Sequence, residues 1–317
     1  MTMNSRIIQG ATIRAKEVSL GEGVVLDDGI SISGFHGEPM ERIAIGDHTY
    51  IGPDVNIACT ALIVGDFVTI HRRTGIFGEG PCAIGHNSWI GQDCILNSHG
   101  DLWIGNNVGI GAANHIWTHA AQGELSEGCQ LFHAKPVIIE NDAWICGGHS
   151  TVNPGVTVAG RTVLLPQSLL TGNTKPNTFY GGNPAKVIDK LLAPYKELAV
   201  EEKAKMIESF VAEFLLFHPD LSYRMTDGRV CLFKGHGSQK VAEFDWVNKA
   251  YEKKRTPEEV AFLKFMKGYR ARFVPEDRRR VGEEILEMAK MKMMVPRDKP
   301  PRPILSSTRR TIEPSVE

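Results

Sequence analysis

The sequence predicts a mainly β protein: a parallel β-solenoid with a small, mostly helical α/β appendage at its C-terminal end. Three observations predict it. Large aliphatic residues recur at every sixth position in blocks between Ile45 and Leu170. Glycine is frequent, at 32 of 317 residues against roughly 7% in average proteins, and many glycines directly follow an aliphatic. The charge also changes character along the chain. Residues 1–190 carry 11 basic and 17 acidic side chains, whereas residues 191–317 carry 25 and 20.

The hexads run Ile45, Ile51, Ile57; Val64, Ile70, Ile76; Ile84, Ile90, Leu96; and Ile104, Ile110, Ile116. The period resumes at Ile139 and Ile145, then at Val152, Val158, Leu164 and Leu170. Ordinary strand alternation has period two and does not demand a large aliphatic at every sixth place. Each hexad therefore reads as one short strand and one corner, with Gly, Asn or Asp at the corner positions where φ is positive. Three hexads close a triangular coil, and stacked coils bury their aliphatics in a central column. Extra residues between blocks, as from Ile57 to Val64, bulge outward because the inward register cannot shift. Between Ile116 and Val137 the period fails, which places a long loop at residues 117–136. A loop interrupting a compact scaffold is a common carrier of function.

The solenoid is assigned to residues 1–188, the appendage to 189–295 and a disordered, Pro-rich basic tail to 296–317. Apolar residues from Leu191 to Leu215 recur near helical spacing and predict a helix over 189–217. That helix is expected to cover the last coil, where Leu164 and Leu170 would otherwise meet water. Asp227-Gly228 between alternating segments predicts a hairpin. Thr256-Pro257 reads as an N-cap with Pro at the first helical position, leading into a helix over 260–272. Residues 276–294 continue helical, and Arg278-Arg279-Arg280 reads as solvated surface.

The stretch 139–188 carries a resemblance. It runs from Ile-Glu-Asn-Asp-Ala-Trp-Ile-Cys through Val-Asn-Pro-Gly-Val-Thr to Gly-Gly-Asn-Pro-Ala-Lys-Val-Ile. This resembles the closing motif of hexapeptide-repeat acetyltransferases, in the group that acts on sugars and xenobiotics, and the likeness covers residues 40–188. The resemblance implies a left-handed parallel β-helix, acetyl-CoA as co-substrate, no metal, and a homotrimer with sites between subunits. It further implies a sugar or nucleotide-sugar acceptor, with N-acetylation of a nucleotide-linked amino sugar in bacterial surface-glycan synthesis as the leading expectation. O-acetylation of a saccharide or antibiotic is the alternative.

Acyl transfer from a thioester needs a base for the attacking hydroxyl or amine, and imidazole titrates near working pH. His119 opens the 117–136 loop and His115 precedes it in Ala-Ala-Asn-His; both remain candidates for the base. Asn114, Trp117 and Glu124 are the candidate acceptor contacts, and Glu124 or Glu127 is a candidate to orient the ring. Pantetheine needs exposed backbone amides flanked by small residues, which Cys146-Gly147-Gly148 and the corner at Pro166 offer. Trp144 stands at the family's aromatic position. Lys175 and Lys186 are the candidate phosphate contacts, since Thr171-Gly172-Asn173 replaces the usual Thr-Lys-Asp segment.

Other classes are weighed against this. A formal charge of −1 argues against a globally basic nucleic-acid binder. No apolar run reaches the length of a membrane span, and the N-terminus lacks a signal-peptide stretch, so a cytoplasmic location is expected. Six scattered cysteines with no CxxC pair read as reduced thiols. A zinc hydro-lyase like the γ-type carbonic anhydrases would use histidines among His86, His99, His115 and His119. A binding solenoid without catalysis is the remaining alternative.

Overall fold

Each hexad forms one rung of a three-walled coil. The computed structural model describes residues 6–7 and 10–276, apart from 227, 236 and 238. The first wall stacks parallel strands from Arg6–Ile7 to Phe179–Gly181 and closes with an antiparallel strand, Lys186–Val187. The second wall runs from Thr12–Ile13 to Leu169–Leu170, and the third from Ala15–Leu20 to Thr157–Val158. Successive coils are in register. Ile51, Ile70, Ile90, Ile110, Ile145 and Leu164 are ladder partners on the first wall. Ile57, Ile76, Leu96, Ile116, Val152 and Leu170 are ladder partners on the second. All are buried in one central column, so the fold is the expected parallel β-helix. Leu26 and Ile32 extend that column below the first recognised hexad, and both are fully buried.

The corners extend one expectation. Positive φ falls on glycines such as Gly23, Gly29 and Gly155 and on Asn and Asp, as expected, but also on His48, Phe67, Arg73, Ala113, Arg161 and Gln167. Glycine after the aliphatic serves a different need, the close approach of the next coil. A Cβ on Gly111 would stand 2.1 Å from the backbone nitrogen of Gly147.

The appendage holds helices α1 (Val200–Leu216) and α2 (Pro257–Gly268) on a five-stranded sheet. Thr226 pairs with Arg229, so the predicted hairpin has a two-residue connection, with Gly228 at φ 79°. Thr256 caps α2 by accepting from the Glu259 amide at 3.1 Å, with Pro257 at the first turn. The helix predicted over 189–217 starts only at Val200. Pro194 disfavours α conformation at Ala193. The segment before α1 instead lies along the solenoid, where Tyr195 Oη donates to the Asp142 carbonyl at 3.1 Å. The predicted helix at 276–294, the Arg278-Arg279-Arg280 run and the tail 296–317 lie outside the described residues, apart from Glu276.

The expectation that this helix covers the last coil is also overturned. Val211 and Phe214 of α1 pack with Phe244 and Phe262 in a second core, and Phe67 is the solenoid residue that joins it. The last coil is covered by Tyr180 and Ala185 instead. The appendage grips the corner between the third and first walls. Lys253 Nζ lies 2.7 Å from both Asp47 and Asp66, and Arg255 Nε donates to Asp47 at 2.8 Å. Asn87 Nδ2 donates to the Phe273 carbonyl at 2.8 Å, and Arg272 Nη1 to the Asn107 carbonyl at 2.9 Å. No helix among the described residues is long and apolar enough to cross a membrane.

Candidate active site

The long loop leaves the corner between the second and third walls as a two-stranded antiparallel arm, His119–Ala121 against Phe132–Ala134. His119 sits at its root. Its Nδ1 lies 2.9 Å from Asn97 Oδ1, on the coil below. Asn97 Nδ2 donates to the Phe77 carbonyl at 3.1 Å, which turns Oδ1 toward the histidine. The same oxygen accepts from the Thr118 hydroxyl at 2.5 Å. An oxygen in that position only accepts, so Nδ1 carries the proton and Nε2 keeps its lone pair. Burial is the main cause that lowers the His119 pKa from its ordinary value; His99 lowers it further and Glu79 opposes. The imidazole is thereby held neutral at neutral pH, the form a general base needs.

Rings surround it. The His99 ring centroid is 4.8 Å from that of His119, and that of Trp117 is 6.1 Å away. Glu79 lies 3.7 Å from His99 Nε2 and 3.4 Å from His36 Nε2. Asn97 and Glu79 were not singled out in the sequence, and His99 only as a candidate zinc ligand. Their signal was register: Phe77, Asn97 and Trp117 lie at twenty-residue intervals on the second wall, directly beneath the loop.

The other candidates fall as follows. His115 projects from the second wall between Ile95 and Thr151, its ring 6.4 Å from Trp117. Asn114 is fully buried: its Nδ2 donates to the Gly111 and Cys146 carbonyls, and its Oδ1 accepts from the Ser150 amide. It bonds coil to coil and has no acceptor-facing atom, which corrects its expected role. Glu124 does not orient His119; its carboxylate caps its own turn through Ser126, which lowers its pKa.

The donor candidates stand elsewhere. Trp144 is 52% exposed on the first wall and leans over Gly109, where a Cβ would come 3.1 Å from its ring. Cys146 is buried, and burial raises its thiol pKa, whereas Gly147 and Pro166 are exposed at the corner between the first and second walls. Lys175 and Lys186 are exposed at the closing end of the solenoid. One chain thus carries its base and its donor-binding candidates on different corners. A cavity of about 480 Å3 lined by Ala44, Asp47, Ile63, His86 and Arg255 lies on the appendage side and includes none of the rings around His119. His86 is buried at that third corner, accepting from the Asp66 amide, away from the other three histidines. Among the described residues no group of three or more His, Cys, Asp or Glu is placed to hold a metal ion.

No protein-family profile matches the chain. It is similar to galactoside O-acetyltransferase of Escherichia coli (strain K12), 26% identical over 144 residues, covering 38% of this chain and 70% of the relative. It is also similar to a chloramphenicol acetyltransferase of Agrobacterium fabrum, 38% identical over 72 residues, covering 23% of this chain and 31% of that one. Among solved structures, the polySia-specific acetyltransferase NeuO aligns with a TM-score of 0.44 and 16% identity, over 65% of this chain and 92% of that one.

Proposed function

We propose that this chain, which resembles the hexapeptide-repeat acetyltransferases, moves an acetyl group from acetyl-CoA to a sugar, with His119 as general base. The observation that carries the reading is the Asn97–His119 pair, which fixes one tautomer and leaves Nε2 open at the loop root. Nε2 takes the proton of the attacking group, whose lone pair forms the new bond to the acetyl carbon. The thioester C–S bond breaks, and the CoA sulfur leaves as thiolate and takes up a proton.

A hydroxyl acceptor is supported by the likeness to a galactoside O-acetyltransferase. The amine of a nucleotide-linked amino sugar is the second reading, since the same base serves a nitrogen nucleophile. The separation of His119 from Trp144, Gly147 and Pro166 supports a homotrimer, in which the corner between the first and second walls of one subunit faces the corner between the second and third walls of its neighbour. Coenzyme A would lie between them, with Lys175 and Lys186 toward its phosphates. Free-thiol release from acetyl-CoA, measured across a panel of saccharides and sugar nucleotides, tests the activity. Absence of release with every member overturns it. Light scattering tests the assembly, and a fully active monomer excludes the shared site.

A further inference from the structure

Resting on that reading, we infer that the acceptor is an extended saccharide bound along a belt of rings, with the reacting unit in its middle. Six half-buried rings follow one another on the second wall and its corner. Phe35 lies 6.1 Å from His99, His99 4.8 Å from His119, and His119 6.1 Å from Trp117. Trp117 lies 6.4 Å from His115 and 6.3 Å from Phe77. The base stands in the middle of these contacts: two ring-to-ring steps lead from His119 to Phe35, and two others lead through Trp117 to His115 or Phe77. A pyranose presents a face of C–H groups that packs on the electron-rich face of an aromatic ring. A single sugar over His119 covers the nearest rings and leaves both ends of the belt unused.

The ends also differ in chemistry from a phosphate site. Glu79, between His36 and His99, supplies an acceptor for sugar hydroxyls on the Phe35 side. Trp117 and Phe77 supply apolar faces on the other. A chain passing through this belt presents an internal hydroxyl to Nε2 and keeps neighbouring units on both sides.

The test uses the full-length protein with acetyl-CoA and neutral and acidic oligosaccharides, each as a series of one to six units. For the sugar that is acetylated, kcat/KM is expected to rise roughly tenfold or more from one unit to four. Mass spectrometry of the product is expected to place the acetyl group on internal units. Phe35→Ala and Phe77→Ala should each reduce the ratio between long and short acceptors, with Phe35→Tyr restoring it and the acetyl-CoA KM unmoved. A flat dependence on length, or an acetyl group confined to the terminal unit, overturns the belt while leaving the acetyltransferase reading intact. So does a rise in acetyl-CoA KM in Phe35→Ala, which would assign the rings to the donor. Failure of the wild-type protein to acetylate any member overturns the belt, and absence of thiol release across the wider panel of saccharides and sugar nucleotides overturns the acetyltransferase reading as well.

Discussion

At the scale of single residues, the chemistry rests on one imidazole and the group that orients it. His119→Ala should lower kcat by roughly 10²–10⁴-fold with little change in acetyl-CoA KM, measured by thiol release. A near-normal rate there, with His115→Ala inactive, would move the role to His115. The pH profile follows from the direction of the pKa shift. A base works deprotonated, so kcat/KM should fall as pH drops through a midpoint below the ordinary histidine value of about 6.5. His99→Gln removes an influence that lowers the pKa, so the acid limb should move to higher pH; Glu79→Gln removes one that raises it and should move the limb lower. An unmoved limb in both variants would detach the titration from His119. The two candidate histidines were legible because the loop interrupts the hexads. Asn97 was not, because a partner one coil away is twenty-two residues distant, and only the closed coil brings them together.

At the scale of elements, the rungs were read almost residue by residue, since an aliphatic at every sixth place leaves few alternative folds. The reason for the glycines was harder to read, because it depends on the spacing between coils rather than on local conformation. Gly111→Ala should therefore cost stability although its φ is not in the left-handed region. The new methyl group meets the Gly147 backbone, and overpacking of this kind costs about 1–3 kcal/mol. An unchanged melting temperature would show that the coils shift freely. The appendage was legible where local signals decide, at the Gly228 hairpin and the Thr256 cap. It was misread where packing decides. Leu191 and Leu192 look like part of an apolar helical stripe, yet they are 48% and 91% exposed on the segment before α1.

At the scale of the whole molecule, the join between solenoid and appendage is ionic at its centre. Burial alone would raise the Asp47 pKa, but its bonds from Lys253 and Arg255 prevail and bring it down to about 2. A carboxyl with a depressed folded pKa gives stability that is fully present above its unfolded value. That stability, on the order of 2 kcal/mol, should be lost as pH falls from about 4 toward 2. Lys253→Met removes the ammonium that two buried carboxylates share and should cost about 3–5 kcal/mol in denaturant titration. A cost below 1 kcal/mol would mean that this ammonium does not hold the join. Ending the chain after residue 220 would leave Val211, Phe214 and Phe67 without the core they enter, so that truncation should aggregate. The same grip has a consequence for how the protein melts. In a bare solenoid each coil meets only its neighbours, so unfolding can start at either end and travel inward step by step. Here the coils bearing Asp47, Asp66, Asn87 and Asn107 are fastened to one body with its own core. None of these four can fray without tearing that body loose, so a stack of near-independent steps becomes a single cooperative unit, with one sharp calorimetric transition across those coils.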